Sequence, residues 1–253
     1  MKYTGLVLFG LVVLATACNK DAAALDSPGQ SGSITRFTVH NGYMYALNPN
    51  EVLTYSLQNP DQPQLVHRLP TDYGLETIIV YDNTIYLGSN TALYILDISQ
   101  PAAPSILSKS NREEWFSGGC DPVVVKGQYA YSTIKIIQNV CGNVANQSAL
   151  IVYDISNKSA PVNIGVYPLA IPNGLGYLGN YLFVCDQGSN RLEVFDISDP
   201  KQLQQRTDLA LAITEPYDLI VTGQKMIVST KTDFQIYDLS ALPVIKKTGS
   251  IEK

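Results

Sequence analysis

The sequence predicts an all-β fold, a five-bladed β-propeller of four-stranded antiparallel blades, and three observations predict it. The first is an internal repeat. Leu93-Tyr94-Ile95-Leu96-Asp97-Ile98-Ser99, Leu150-Ile151-Val152-Tyr153-Asp154-Ile155-Ser156 and Leu192-Glu193-Val194-Phe195-Asp196-Ile197-Ser198 are close copies. Phe234-Gln235-Ile236-Tyr237-Asp238-Leu239-Ser240 is a fourth, and Leu53-Thr54-Tyr55-Ser56-Leu57 is a degraded first copy with Ser in place of Asp. The second observation is spacing: positions 56, 97, 154, 196 and 238 lie 41, 57, 42 and 42 residues apart, a blade-sized period. The third is a two-residue turn upstream of each copy, at Asn41-Gly42, Asp82-Asn83, Gly127-Gln128, Gly179-Asn180 and Gly223-Gln224. Such residues suit the primed hairpin turns that match strand twist.

Each element follows from local pattern. β-branched and aromatic runs flank the turns, as Ile78-Ile79-Val80 and Ile85-Tyr86-Leu87 do around Asp82-Asn83, so each turn joins two strands. The repeated motif is a third strand, apolar almost throughout, which fits burial on both faces between neighbouring blades. A turn often containing Pro and a last strand complete the unit. Asp followed two residues later by Ser is turn chemistry, in which a short side chain bonds a nearby backbone N–H. Asp97, Asp154, Asp196 and Asp238 are therefore read as scaffold, one per blade around a ring, rather than as converging acid–base groups. The propeller is expected over residues 33–253.

The N-terminus has a different grammar. Met1-Lys2-Tyr3 is a short positive start, and Gly5 to Leu14 is an apolar run of signal-peptide length, too short to span a bilayer. Leu14-Ala15-Thr16-Ala17-Cys18 resembles a bacterial lipobox. Residues 1–17 are thus read as a lipoprotein signal peptide, Cys18 as the lipidated first residue, and 18–32, rich in Ala, Ser and Gly, as a flexible tether. The expected location is the bacterial outer membrane, lipid-anchored and facing the periplasm or the cell surface. Lys20-Asp21 resembles a Bacteroidota surface-export signal.

Composition removes whole classes of function. Of 253 residues 45% are hydrophobic and 15% charged, against roughly 25% charged in an average soluble protein, so a charge-driven or disordered chain is excluded. The net charge is -5 and no run of Lys or Arg occurs, which argues against a nucleic-acid partner. His40 and His67 accompany neither a nucleophile elbow nor zinc-ligand spacing and are read as surface or edge residues. No metal and no cofactor is expected.

The Ile-Val-Tyr-Asp-Ile-Ser motif with its upstream hairpin resembles the LVIVD-repeat family over about residues 34 to 253, and Gly119-Cys120-Asp121-Pro122-Val123-Val124-Val125 and Leu182-Phe183-Val184-Cys185-Asp186 are similar to stretches in Bacteroidota members. The resemblance implies a propeller-like fold and a cell-surface or secreted setting, with no established chemistry.

Candidate binding residues come from departures from the repeat. From the second-strand landmarks Tyr45, Tyr86, Tyr131, Phe183 and Ile227 to the Asp position the gaps are 11, 11, 23, 13 and 11. Blade three therefore carries 12 extra residues (23 less 11), around Gln138 to Asn143. A second extension, between blades two and three, contains Trp115 and Phe116. Both belong to one face, opposite the tight turns and the Asp-x-Ser turns. Thr35, Glu76, Asp121, Asn173 and Tyr217, each ten residues before a landmark, start the innermost strands on that face. Trp115, Phe116, Glu76, Asp121, Asn173 and Tyr217 are the expected ligand or partner surface. The function expected is a non-catalytic binding or scaffold module for a protein or glycan. The alternative is a propeller glycoside hydrolase using Glu76, Asp121 and Asp218 at the central opening. Cys120 and Cys141 are expected to form a disulfide in an oxidising compartment, and Cys185 to be a small buried thiol.

Overall fold

The tight turns close because their first residues accept a left-handed backbone. In the computed structural model, which describes residues 29–32, 36–89, 92–111, 122–135 and 148–253, φ is +48° at Asn41, +52° at Asp82, +60° at Gly127, +58° at Gly179 and +54° at Gly223. Only short-branched polar residues and glycine visit that region routinely. Each turn joins the first two strands of a four-stranded antiparallel blade, and the described residues contain no helix.

A short strand, β1 (Gly29–Gly32), precedes the blades. Blade 1 is β2 (Phe37–His40), β3 (Tyr43–Asn48), β4 (Glu51–Ser56) and β5 (Gln64–Pro70), in that spatial order. Blade 2 is β6 (Leu75–Tyr81), β7 (Thr84–Ser89), β8 (Ala92–Asp97) and β9 (Ser105–Asn111). Blade 3 is β10 (Val123–Lys126), β11 (Tyr129–Ile134), β12 (Ala149–Asp154) and β13 (Val162–Pro168). Blade 4 is β14 (Pro172–Leu178), β15 (Tyr181–Asp186), β16 (Arg191–Asp196) and an outer edge split into β17 (Gln204–Gln205) and β18 (Leu211–Ala212). Blade 5 is β19 (Asp218–Thr222), β20 (Lys225–Ser229), β21 (Asp233–Ala241) and β22 (Val244–Glu252). Val66, Leu107, Ile164 and Thr248 are the extra residues of β-bulges at the same place on the outer strand of blades 1, 2, 3 and 5. A bulge there twists an exposed edge away from further pairing.

Two rims result. On one, the turn rim, the N–H between Asp and Ser of each motif donates to the tight turn: Ile98 to Asn83, Ile155 to Gln128, Ile197 to Asn180 and Leu239 to Gln224, at 2.8–3.2 Å, with Leu57 to Gly42 as the blade 1 equivalent. On the opposite link rim, connections between blades bond to second-to-third-strand loops, as Thr71 and Gly74 do to Asn50 and Pro49.

Apolar side chains of facing blades fill four junctions. Tyr45 and Val52 meet Ile85 and Tyr94 between blades 1 and 2; Tyr86 and Ile95 meet Val125 and Ile151 between 2 and 3. Tyr131 and Val152 meet Leu175 and Val184 between 3 and 4, and Phe183 and Val194 meet Leu219 and Met226 between 4 and 5. Among the described residues no such cluster joins blades 5 and 1. The third strands record this. β8 and β12 are buried along nearly their whole length, as expected, whereas β4 and β21 alternate between buried and partly exposed, because each has a neighbour on one face alone.

The last four residues of the expected tether are paired backbone. β1 runs antiparallel to β14, Gly29 opposite Leu178 and Gly32 opposite Leu175, on the edge of β14 that faces the central opening, and it packs also against β19, β10 and β6. The opening is therefore occupied by the chain's own strand. Cys18 lies outside the described residues.

Candidate functional site

The outer face of blade 5, which no cluster of described residues covers, is the most distinctive surface. Strand register sets Ile220, Ile227 and Ile236 in one row across β19, β20 and β21, and Ser229, Phe234 and Ile251 in the row above. Alternation sends these side chains opposite to Leu219, Met226 and Val228, which fill the junction with blade 4. Ile220 is 48% exposed, Phe234 39% and Ile251 59%. Together they line a groove of about 370 Å³. The Lys253 ammonium lies 4.7 Å from the Phe234 ring centre, a cation–π arrangement at the groove's edge. Large contiguous apolar surface of this kind marks interaction sites.

Blade 1 presents the complementary half. Phe37 and Ala46 pair across β2 and β3, Ala46 and Leu53 across β3 and β4, and Val39, Met44 and Tyr55 form the adjacent row. Phe37 is 59% exposed and Val39 57%. These positions match Ile78, Val80, Ile85, Leu87, Tyr94 and Leu96 of blade 2, which pack against blade 1. Blade 5 thus shows water the face with which a blade meets its successor, and blade 1 the face with which it meets its predecessor.

The expected ring of polar residues is partly placed. Asn173 is buried at the start of β14; its carbonyl accepts from Thr133 Oγ1 at 2.8 Å, its amide Nδ2 donates to Ile171 O and Gln187 Oε1, and Lys135 Nζ reaches its Oδ1 at 3.4 Å. Tyr217 is exposed, and its carbonyl accepts the Gly174 N–H at 3.1 Å. These bonds tie the second strand of blade 3 and the entry to the inner strand of blade 5 to the start of blade 4. Gly174 permits the approach: a Cβ there would lie 2.2 Å from Asp218 Oδ1 and 2.7 Å from Asp218 Cα. Glu76 sits partly exposed at a bulge of β6. Trp115, Phe116, Asp121, Thr35, Cys120, Cys141 and the 138–143 loop lie outside the described residues. Among the described residues no group of three or more His, Cys, Asp and Glu side chains converges.

The motif aspartates are turn scaffold. Oδ1 of Asp97, Asp154, Asp196 and Asp238 accepts the N–H of Ser99, Ser156, Ser198 and Ser240 at 2.8–2.9 Å. The Ser240 N–H, then the Lys225 ammonium 2.9 Å away, hold the Asp238 carboxyl well below the usual carboxylate range. The Ser156 N–H lowers Asp154, and the Ser198 hydroxyl with its N–H lowers Asp196. Cys185 is buried, and burial pushes its thiol well up, so it is inert as a nucleophile. His40 and His67 lie in β2 and β5, the two edge strands of blade 1, partly exposed and with Nε2 enclosed.

The apolar third strand flanked by a tight turn and an Asp-x-Ser turn is the signature of the repeat. The chain carries LVIVD repeats. They match at residues 76–111, 140–168 and 175–204, in blades 2, 3 and 4. The LVIVD blades are thus the ones with a neighbour on both faces, and blades 1 and 5, whose third strands meet water on one side, fall outside the match. No curated protein matches the chain. Among solved structures it is similar to a functionally unknown protein from Desulfotomaculum acetoxidans, with 10% identity over 86% of this chain and 69% of that one and a TM-score of 0.68. It is similar to the periplasmic gluconolactonase PpgL of Pseudomonas aeruginosa, with 13% identity over 83% and 67% and a TM-score of 0.62. A chain of a nidogen/laminin complex shares 14% identity over 88% and 78%, with a TM-score of 0.55. At these identities the likeness concerns the fold alone, a propeller-like arrangement.

Proposed function

We propose that the protein is a lipid-anchored extracytoplasmic lipoprotein whose propeller is a non-catalytic binding module for a protein partner. The supporting observation is the apolar, uncovered face of blade 5, with Ile220, Phe234 and Ile251 around its groove. Such a surface suits apolar side chains of a protein better than a glycan, which needs convergent polar groups. Trp115 and Phe116 on the link-rim extension would add aromatic anchors of the kind that dominate interface energetics. Cys18 would hold the chain to the outer membrane on its periplasmic or outer side. Hydrolysis at the central opening has less behind it, because β1 lies in that opening.

The test is affinity capture from cell extract on the mature chain made soluble by Cys18→Ser, alongside the same chain carrying Ile220→Glu and Phe234→Glu. The expected result is a protein captured by the first and lost by the second at an unchanged melting point, with the wild type in the membrane fraction. A melting point that falls with the two substitutions would show that blades 5 and 1 cover each other. Turnover of a lactone or glycoside by the soluble chain would overturn the non-catalytic reading.

A further inference from the structure

The direction of β1 carries a consequence for how the molecule stands on a membrane. Gly29 lies opposite Leu178, the last residue of β14 before the Gly179-Asn180 turn, and Gly32 lies opposite Leu175. The chain therefore enters the central opening from the turn rim and runs toward the link rim. It then turns back at the start of β2, whose far end is the Asn41-Gly42 turn. The first described residue, Gly29, therefore lies at the centre of the turn rim.

We propose that the turn rim is the membrane-facing surface and that the link rim, with both extensions, points away from the bilayer. This rests on the lipid-anchored reading above, and length decides it. Cys18 to Gly29 is eleven residue steps (29 less 18). Fully stretched, these span roughly 36–40 Å, and as a Gly/Ser-type coil they span about 18 Å on average. To bring the link rim to the bilayer, the tether must first cross the turn rim to the outside of a blade, four strand spacings or roughly 19 Å, and then climb a six-residue strand, roughly 20 Å more. That path of about 40 Å uses the whole contour length. It would force the tether flat and fully extended along the protein, at the cost of nearly all its conformational freedom. Facing the turn rim to the bilayer leaves the tether free. The rim is made of two-residue turns and of aspartates engaged with their own backbone, with Val162 and Val244 exposed beside them.

The experiment places a biotin-acceptor peptide at either end of blade 1, after Pro60 on the turn rim or after Pro49 on the link rim, in the full chain. Each protein is held on phosphatidylethanolamine/phosphatidylglycerol vesicles by its own lipid. In parallel, each Cys18→Ser version is held through an N-terminal hexahistidine on nickel-chelating lipid, so that orientation is read whether or not Cys18 is lipidated. Streptavidin capture is expected to be lost for the turn-rim peptide on vesicles, retained for the link-rim peptide, and equal for both once detergent releases the proteins. Equal capture on vesicles, or loss confined to the link-rim peptide, overturns the proposal. Failure of the Cys18 chain alone to bind vesicles would overturn lipidation while the chelated pair still decides orientation.

Discussion

At Gly174 two blades come close through backbone, and replacing it with Ala tests how the junction between blades 4 and 5 is built. The added Cβ would lie 2.2 Å from Asp218 Oδ1, 2.7 Å from Asp218 Cα and 3.0 Å from Leu219 N. The carboxylate oxygen can swing aside; the Cα and the amide cannot. The inner strands must separate, which strains the Gly174 N–H to Tyr217 carbonyl bond. Overpacking costs about 1–3 kcal/mol and a lost backbone hydrogen bond about 1 kcal/mol, so about 2–4 kcal/mol is expected. In a domain of this size that lowers Tm by roughly 4–16 °C. Two other glycines calibrate the measurement. Gly249→Ala meets nothing within 4 Å and should be neutral or stabilising by up to about 1 kcal/mol, by restricting the unfolded chain. Gly42→Ala also meets nothing within 4 Å but sits at φ +77°, where a side chain costs about 1–2 kcal/mol. Urea unfolding midpoints of the three variants, compared at equal slope, give the ranking. If Gly174→Ala unfolds together with Gly249→Ala, the inner strands are not in backbone contact and the account of this junction is wrong.

Alkali should unfold the protein in a defined window: burial holds the phenols of Tyr45, Tyr86, Tyr177 and Tyr237 up to about 12, so the folded chain keeps protons that the unfolded chain releases near 10. Stability from these groups is full below pH 10 and falls as pH rises toward 12, by at most about 2.7 kcal/mol per group; a Tm against pH series should show this slope, and Tyr86→Phe should reduce it. Cys120 and Cys141, closing a loop of about 20 residues worth roughly 3 kcal/mol in the entropic account, should resist alkylation without reductant, and mass spectrometry finding both modified would refute the bridge.

Strand order, both turn sets and the scaffold role of the aspartates were legible in the sequence because each is local. A tight turn needs a residue tolerant of positive φ, and an Asp two residues before a Ser N–H closes its own bond. The covered cores were legible too, since a near-continuous apolar third strand has no solvent face. What escaped was long-range. Ile220, Phe234 and Ile251 are apolar at alternate positions like any blade residue, and nothing local distinguishes a face that has a neighbour from one that does not. The signal available was arithmetic: an array of blades has a first and a last, and their outer faces need a partner. β1 escaped for a related reason. Gly29-Gln30-Ser31-Gly32 carries no apolar period, because a strand laid along the edge of β14 is held by backbone bonds that any sequence can make.

The chemistry of the end blades bears on which surface matters. In stacked repeats a terminal unit that ends in water usually turns a polar face outward, since each exposed apolar face invites association. Alternation along a strand makes this simple to achieve: residues of one parity change and the buried face is untouched. Here neither end follows that rule. Blade 1 keeps Phe37, Val39, Met44, Leu53 and Tyr55 on its outer face, and blade 5 keeps Ile220, Ile227, Phe234, Ile236 and Ile251. Both retain the composition of a built junction, and at the turn-rim margin of blade 5's face Lys225 pairs with Asp238. Faces of that kind are made to be covered. With β1 packed against the inner strands, the proposed partner surface is the outer face of blade 5, where Ile220, Phe234 and Ile251 meet water and a partner's apolar side chains would displace it.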